Sequence, residues 1–298
     1  MTLDDLIYKP GLLQGRRILV TGGGSGLGRV MSEALLLLGA EVHICGRRAA
    51  VVEQTAAALM AQHGGKVVPW VCDIRSDDAI QAMLDAIWQD HGPLDGLINN
   101  AAGNFISRTE DLSSRAFDTI ANIVFRGSFY MTLACGKRWL AEGRKASVLS
   151  ILTTWVWNGS AFTVPSAMSK AGLHAMTQSL AVEWGGRGIR FNAIAPGLFP
   201  TEGMSARLNP GGGEHKIEGN PMGRNGQMPE LANLAVFLMG PGSEYVNGQT
   251  IAIDGAQYQA TGGNFAALAQ WGDADWQRAR QSIEKTNASD RQQRHHAP

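Results

Sequence analysis

The chain has 298 residues with 26 basic and 26 acidic side chains, so it carries no net charge and no basic field that would draw nucleic acid or an anionic membrane. At 44% hydrophobic and 17% charged residues, its composition is that of a globular protein able to bury a large core. Cys45, Cys72 and Cys135 lie far apart without metal-ligand spacing, so they read as buried thiols in a reducing compartment, and no metal is expected. The acidic start, Met1-Thr2-Leu3-Asp4-Asp5-Leu6, is unlike a signal or transit peptide, and no apolar run reaches the ~18 residues of a membrane span. The end, His295-His296-Ala297-Pro298, is not a peroxisomal address, and the expected location is cytoplasmic.

In chain order, Arg17-Ile18-Leu19-Val20 reads as a strand and is followed by Thr21-Gly22-Gly23-Gly24-Ser25-Gly26-Leu27-Gly28. A helical pattern through Val30, Ala34, Leu35 and Leu38 then ends at Gly39. Residues 41–45 read as the second strand, 49–62 as an alanine-rich helix and 66–73 as the third strand. Ser76 caps a helix with Asp77 and Asp78 in its first turn, where the dipole favours acids. A fourth strand at 94–99, a long helical region at about 112–141 and a fifth strand at 146–151 follow. A helix from about 166 to 185, a strand at 189–195, a Gly- and Pro-rich loop at 198–228, a helix at 229–239 and a strand at 250–254 complete the pattern.

Strands that alternate with helices and are mostly apolar on both faces predict an α/β fold, a single doubly wound parallel sheet of the Rossmann type. No repeat or linker splits the chain, so residues 1–256 are expected as one dinucleotide-binding and catalytic domain. Residues 257–298 read as an extension with a helix near 273–285 and a disordered polar tail.

The glycine stretch between a strand and a helix can be a mere tight turn or a cradle for a pyrophosphate, which would meet free N–H groups at a helix N-terminus. Its spacing is T-G-x-x-x-G-x-G, through Thr21, Gly22, Gly26 and Gly28, with Ser25 and Leu27 between. Past the second strand stand Arg47 and Arg48, where an NAD-binding domain commonly places an acid. Arginines there can grip a 2′-phosphate, so NADP(H) is the expected cofactor. They could otherwise be solvated residues that start a helix.

Further along come Asp73 at the end of the third strand, Asn99-Asn100-Ala101-Ala102-Gly103 after the fourth, and Pro196-Gly197-Leu198-Phe199 with Thr201 after the sixth. With the glycine stretch, these segments resemble the short-chain dehydrogenase/reductase family over about residues 14–256. The resemblance implies that Asp73 lies near the adenine, Asn100 beside the cofactor, and the 196–201 segment against the nicotinamide. It implies a homotetramer as well.

One departure narrows the resemblance. Most of the family carries Tyr-x-x-x-Lys, and this chain has Ser166-Ala167-Met168-Ser169-Lys170. Lys170 is kept, and Thr153 stands thirteen residues before Ser166, roughly where the family's catalytic serine sits. With the missing tyrosine, the segment Asn99 to Ser107 is similar to the 2,4-dienoyl-CoA reductases. That similarity implies an acyl-CoA substrate, with Asn104 bonded to the thioester oxygen and Phe105 beside it. It also puts Arg75, Ser113 and Arg207 near the acyl-CoA. Relatives of mitochondrial type restore a tyrosine eleven residues before the position of Ser166, which here is Trp155.

The expected activity is NADPH-dependent reduction of 2,4-dienoyl-CoA or a closely related unsaturated acyl-CoA. Reduction of an enoyl-CoA or a ketone on the same fold, and cofactor binding without catalysis, are the alternatives.

Overall fold

Each predicted apolar run becomes a strand, and each pairs in parallel with its neighbours. The computed structural model describes residues 1–201, 220–261, 272–279 and 281. The strands are β1 (Arg17–Thr21), β2 (Glu41–Gly46), β3 (Lys66–Val71), β4 (Gly96–Asn99), β5 (Ala146–Ile151), β6 (Ile189–Pro196) and β7 (Thr250–Ile253). They form one sheet in the order β3-β2-β1-β4-β5-β6-β7. The strand order therefore reverses direction between β1 and β4. In such a sheet the crevice at the carboxyl ends of those two strands is where a ligand binds.

Helices cover both faces. On one, α1 (Gly26–Leu37), α2 (Ala49–His63) and α8 (Met228–Met239) bury Leu35, Leu59 and Val236 over β1, β2 and β5. On the other, α3 (Asp77–Asp90), α5 (Ser128–Glu142) and α7 (Val164–Gly185) enclose Leu84, Trp139 and Trp184. Trp139 is fully buried, and its indole N–H donates to the Leu94 carbonyl at 2.7 Å, which satisfies the one polar atom that burial would otherwise orphan. Cys45, Cys72 and Cys135 are free and buried. No described helix is long and apolar enough to cross a membrane.

The structure differs from the sequence-based expectation in several places. The helical region expected at about 112–141 is divided into α4 (Ser114–Ala121), a π-helical stretch (Asn122–Gly127) and α5. A wider turn shifts the side-chain register. Here it brings Gly127 so close to Ile74 that a Cβ would lie 2.7 Å from Ile74 Cγ1. β4 begins at Gly96 and not at 94; just before it, the Asp95 carboxylate accepts the Arg17 backbone N–H at 2.9 Å. A short helix, α6 (Trp155–Asn158), stands where none was expected. The expected helix near 273–285 is seen over residues 273–279, and the polar tail beyond it lies outside the described residues.

Candidate active site

A cavity of about 1030 Å³ opens at the carboxyl ends of β1, β4 and β5, at the reversal of strand order. One end is formed by the glycine turn and by the residues that follow β2. Gly22 and Gly26 have φ of +65° and +53°, a left-handed backbone that glycine adopts at no steric cost. A Cβ on Gly28 would sit 2.3 Å from the Gly22 carbonyl oxygen and 2.5 Å from Asn100 Nδ2, so only glycine lets α1 begin this close to β4. Ser25 precedes α1 in extended conformation and makes no side-chain capping bond. The first N–H groups of α1 therefore remain open to an anion.

Thr21 and Asn100 hold this turn to β4. The Thr21 hydroxyl accepts the N–H groups of Asn100 and Ala101, both at 3.0 Å, and donates to the Ile98 carbonyl. Asn100 Nδ2 returns a bond of 3.0 Å to the Thr21 carbonyl. Thr21, Gly26 and Gly28 shape the cavity from behind, whereas Gly22, Ser25, Leu27 and Asn100 line it.

Arg47 and Arg48 are exposed and line the same end. Asp73 lines it too, but its carboxylate is held by the Arg75 guanidinium at 2.5 Å, and that pairing keeps its pKa below the usual carboxylate range. Its charge is thus answered locally and does not oppose a phosphate between Arg47 and Arg48. Arg75 is committed to Asp73 and does not line the cavity.

The other end is built from β5, α6 and α7. Lys170 and Ser166 are buried, stand one helical turn apart on α7 and both line the cavity. Lys170 Nζ donates to the Ile151 carbonyl, and burial lowers its pKa to about 8. The Thr153 hydroxyl oxygen is buried without a hydrogen-bond partner among the described residues. Asn104 Oδ1 accepts the Phe105 N–H at 2.9 Å, which leaves its NH₂ group without a partner among the described residues. Trp155, Pro196, Gly197, Leu198, Phe199 and Thr201 complete this wall.

An orphaned buried hydroxyl, a buried lysine with one carbonyl partner and an uncapped helix N-terminus flanked by arginines all lie in one crevice. These are the groups a dinucleotide needs: amides and guanidinium groups for its phosphates, and an ammonium and hydroxyls for its nicotinamide ribose. The residues present fit a nicotinamide cofactor.

The expected substrate residues divide. Asn104 lines the cavity. Phe105 packs against the small apolar cluster that includes Ile120, Val124 and Leu173, and Ser113 caps α4 by accepting the Ala116 N–H at 3.1 Å; neither lines the cavity. Arg207 lies outside the described residues.

Residues not singled out from sequence also line the cavity: Ile123 from the π-helical stretch, Asn158 from α6, and Gln257, Tyr258 and Thr261 just beyond β7. No local motif marks them, because they arrive through strand order. At the opposite end of the sheet, Glu41, His43 and His91 bring ligand atoms within 4.8 Å of one another. That cluster is occupied by its own bonds. Trp70 donates to His43 Nδ1 at 3.0 Å, His43 Nε2 then donates to Glu41 at 3.1 Å, and the Lys66 ammonium sits 3.1 Å from Glu41.

Comparison with known proteins agrees with this geometry. The family model described as "Enoyl-(Acyl carrier protein) reductase" matches residues 22–256. The chain is 41% identical over 277 residues to the "Probable 2,4-dienoyl-CoA reductase 3 [(3E)-enoyl-CoA-producing]" of Caenorhabditis elegans, covering 91% of this chain and 90% of that one. It is 35% identical over 257 residues to the "Probable 2,4-dienoyl-CoA reductase [(2E)-enoyl-CoA-producing]" of Bacillus subtilis, covering 83% and 98%. A crystal structure of a short chain dehydrogenase from Bacillus anthracis superposes with a TM-score of 0.74 at 38% identity, covering 82% of this chain and 96% of that one. With its parallel sheet, glycine turn and buried Lys170, the chain belongs to the short-chain dehydrogenase/reductase family and is an oxidoreductase of that type.

Proposed function

We propose that the protein reduces 2,4-dienoyl-CoA, or a closely related unsaturated acyl-CoA, with NADPH. The observation that carries this reading is the pairing of Lys170 with Ser166 on α7, where most of the family has a tyrosine, beside the uncommitted donors of Asn104 and Trp155. Ketone reduction creates an alkoxide, a strong base that needs a proton as it forms. Reduction of a conjugated thioester creates a charge spread to the thioester oxygen, which hydrogen bonds can hold until a proton arrives. Amide and indole N–H groups donate hydrogen bonds but are not acids near neutral pH, so they suit the second chemistry.

NADPH, when bound, supplies the hydride. Arg47 and Arg48 would hold its 2′-phosphate, the first turn of α1 its pyrophosphate, and Lys170 with Thr153 its nicotinamide ribose. Asn104 and the Trp155 indole would donate to the thioester oxygen. The names of the relatives support the acyl-CoA part of this reading.

An enoyl-CoA or enoyl-carrier substrate is the second reading, favoured by the description of the matching family model. Exposed Phe125 packs over Gly172 of α7, and Phe129 and Met168 stand exposed about one turn away on the two elements. Unpartnered apolar residues there support assembly of copies, read here as a homotetramer. One catalytic domain at 1–256 with an extension at 257–298, in the cytoplasm, completes the proposal.

The test is NADPH consumption with dienoyl-CoA, enoyl-CoA and ketone substrates in parallel. Turnover of the dienoyl-CoA with negligible ketone reduction is expected. Efficient ketone reduction refutes the reading, and NADPH binding without turnover of any substrate would make the protein a binder and not a catalyst.

A further inference from the structure

Tyr258 stands where no sequence motif would look for it. Of the four tyrosines, Tyr8 donates to the Asn233 carbonyl, Tyr130 accepts from Arg126, Tyr245 lies fully in solvent, and Tyr258 lines the cavity that holds Lys170 and Ser166. Its hydroxyl has no partner among the described residues. Its position is fixed from two sides. The ring stacks on Trp157, with centroids 4.6 Å apart and planes 23° from parallel. The backbone N–H donates to buried Asp254 at 2.8 Å, and the same carboxylate accepts the Ala256 N–H at 3.0 Å.

Ala256 is held at φ +65°, a left-handed backbone that disfavours any residue with a Cβ. Strain of this kind persists where the surroundings impose it, and it concentrates at working sites. Gly197, on the segment expected against the nicotinamide, packs so closely on Asp254 that a Cβ would lie 2.6 Å from the Asp254 Cβ. The arm bearing Tyr258 is thereby tied to the wall of the reaction end.

Elimination among the described titratable groups that line the cavity points the same way. Arg47 and Arg48 carry guanidinium groups, which are hydrogen-bond donors and not proton donors in catalysis. Asp73 is ionised by Arg75 and has no proton to give. Burial raises the Cys45 and Cys72 thiols, Cys72 to about 11. Lys170 is bound to the Ile151 carbonyl and is assigned to the ribose. A phenol remains, and phenols serve as general acids.

We infer that Tyr258 donates the proton that ends on carbon at this site, a role distinct from the oxygen protonation that the tyrosine missing from α7 would perform. The inference rests on the dienoyl-CoA reading. Once reduction has placed an electron pair on the conjugated thioester, that pair forms a C–H bond at the α- or γ-carbon as the Tyr258 O–H bond breaks. The phenolate is then reprotonated by water through the open cavity. The sum is a diene that gains a hydride and a proton, with NADPH oxidised to NADP⁺. Because the hydroxyl is fixed, the carbon it faces decides whether the product is the 3-enoyl or the 2-enoyl thioester.

The test compares the unmodified full-length protein with Tyr258→Phe, which keeps the ring and its stacking on Trp157, using NADPH and 2,4-hexadienoyl-CoA. Turnover should fall about 10²-fold. NADPH and acyl-CoA affinities should stay within about twofold, the ratio of product isomers should shift toward that of unguided protonation, and the solvent deuterium effect on turnover should change. Circular dichroism and melting temperature confirm that the variant is folded. Tyr258→Leu, which also loses the ring, should weaken acyl-CoA binding as well. Tyr258→Phe with turnover within about twofold and an unchanged isomer ratio overturns the inference alone. No turnover of any dienoyl-CoA by the unmodified protein, with NADPH bound, overturns the substrate reading and this inference with it.

Discussion

Replacing Arg47 by alanine tests the cofactor assignment at its source. Arg47 follows β2 and is exposed at the cavity mouth, and Arg48 precedes the first turn of α2. The nearby acid, Asp73, is neutralised by Arg75 through contacts of 2.5–3.0 Å, so an added phosphate meets little local repulsion. A charge-assisted hydrogen bond contributes about 1.5–3 kcal/mol. Solvent and salt screen an exposed guanidinium, so the lower end of that range applies, about 1.5 kcal/mol. That is roughly a tenfold change in affinity. Arg47→Ala should therefore raise the NADPH dissociation constant about tenfold and leave that of NADH nearly unchanged, as read by fluorescence titration of both cofactors. The difference should shrink as ionic strength rises, because screening weakens what is left to lose. Equal losses for the two cofactors would refute the reasoning and make Arg47 a structural residue.

The remaining predictions concern the reaction end and the far side of the sheet. Asn104→Ala removes the uncommitted amide and should lower turnover by about 10²–10³ with NADPH affinity unchanged; loss of cofactor affinity alone would put Asn104 in the wrong role. Lys170→Met removes the ammonium but keeps an apolar stem, and should weaken NADPH binding and turnover together while leaving the protein as stable or more so in thermal melts. His43 is buried, with Glu41, His91, Lys66 and Trp70 around it, and burial lowers its pKa to about 4 from an ordinary 6.5. Between those values the unfolded chain binds a proton that the folded one refuses, so stability should fall by about 3 kcal/mol as pH drops from 6.5 to 4. His43→Gln, followed by urea unfolding across that range, should remove this part of the pH dependence; an unchanged slope would reassign it to the carboxylates.

The sheet and the cofactor end of the crevice were legible because they depend on neighbours in sequence. A strand, a glycine turn and a helix follow one another within 17–37, and Arg47 and Arg48 fall at a strand end whose place in the sheet is implied by the alternation of elements. Lys170 and Ser166 were legible for the same reason, as one helical turn. What stayed hidden depends on partners chosen by the fold. Arg75, expected near the acyl-CoA, lies two residues from Asp73, and the sequence does not say that the turn between them folds back into an ion pair. Thr21 belongs to the glycine motif, yet its hydroxyl is consumed by β4 amides that are about 80 positions away in the chain. Ser113 precedes a helix as a capping residue would, and it is a cap. Tyr258 follows β7, far along the chain from Ser166 and Lys170, and the pairing of β7 with β6 brings it to the site.

The costs left standing in the crevice bear on how fold and function are divided in this chain. Lys170 is buried, and its pKa of about 8 against an ordinary 10.5 means that folding works against its charge at neutral pH by about 3 kcal/mol. The Thr153 hydroxyl is buried without a bond among the described residues, α1 begins without a side-chain cap, and Ala256 is held in a backbone region it disfavours. None of these improves the packing of the sheet: an apolar side chain would relieve the cost at Lys170 and Thr153, a capping side chain that at α1, and glycine that at Ala256. Their common feature is direction: lysine, hydroxyl and free amides all face the same space, and the strained residue carries Tyr258 to it. A fold that leaves unsatisfied groups pointing at one cavity is less stable alone than it could be. A ligand that satisfies those groups recovers part of that cost on binding, because the Thr153 hydroxyl has no partner among the described residues to give up first. Part of the stability withheld from the free protein is thus a source of affinity at the site, and the absence of a tyrosine from α7 leaves that arrangement in place.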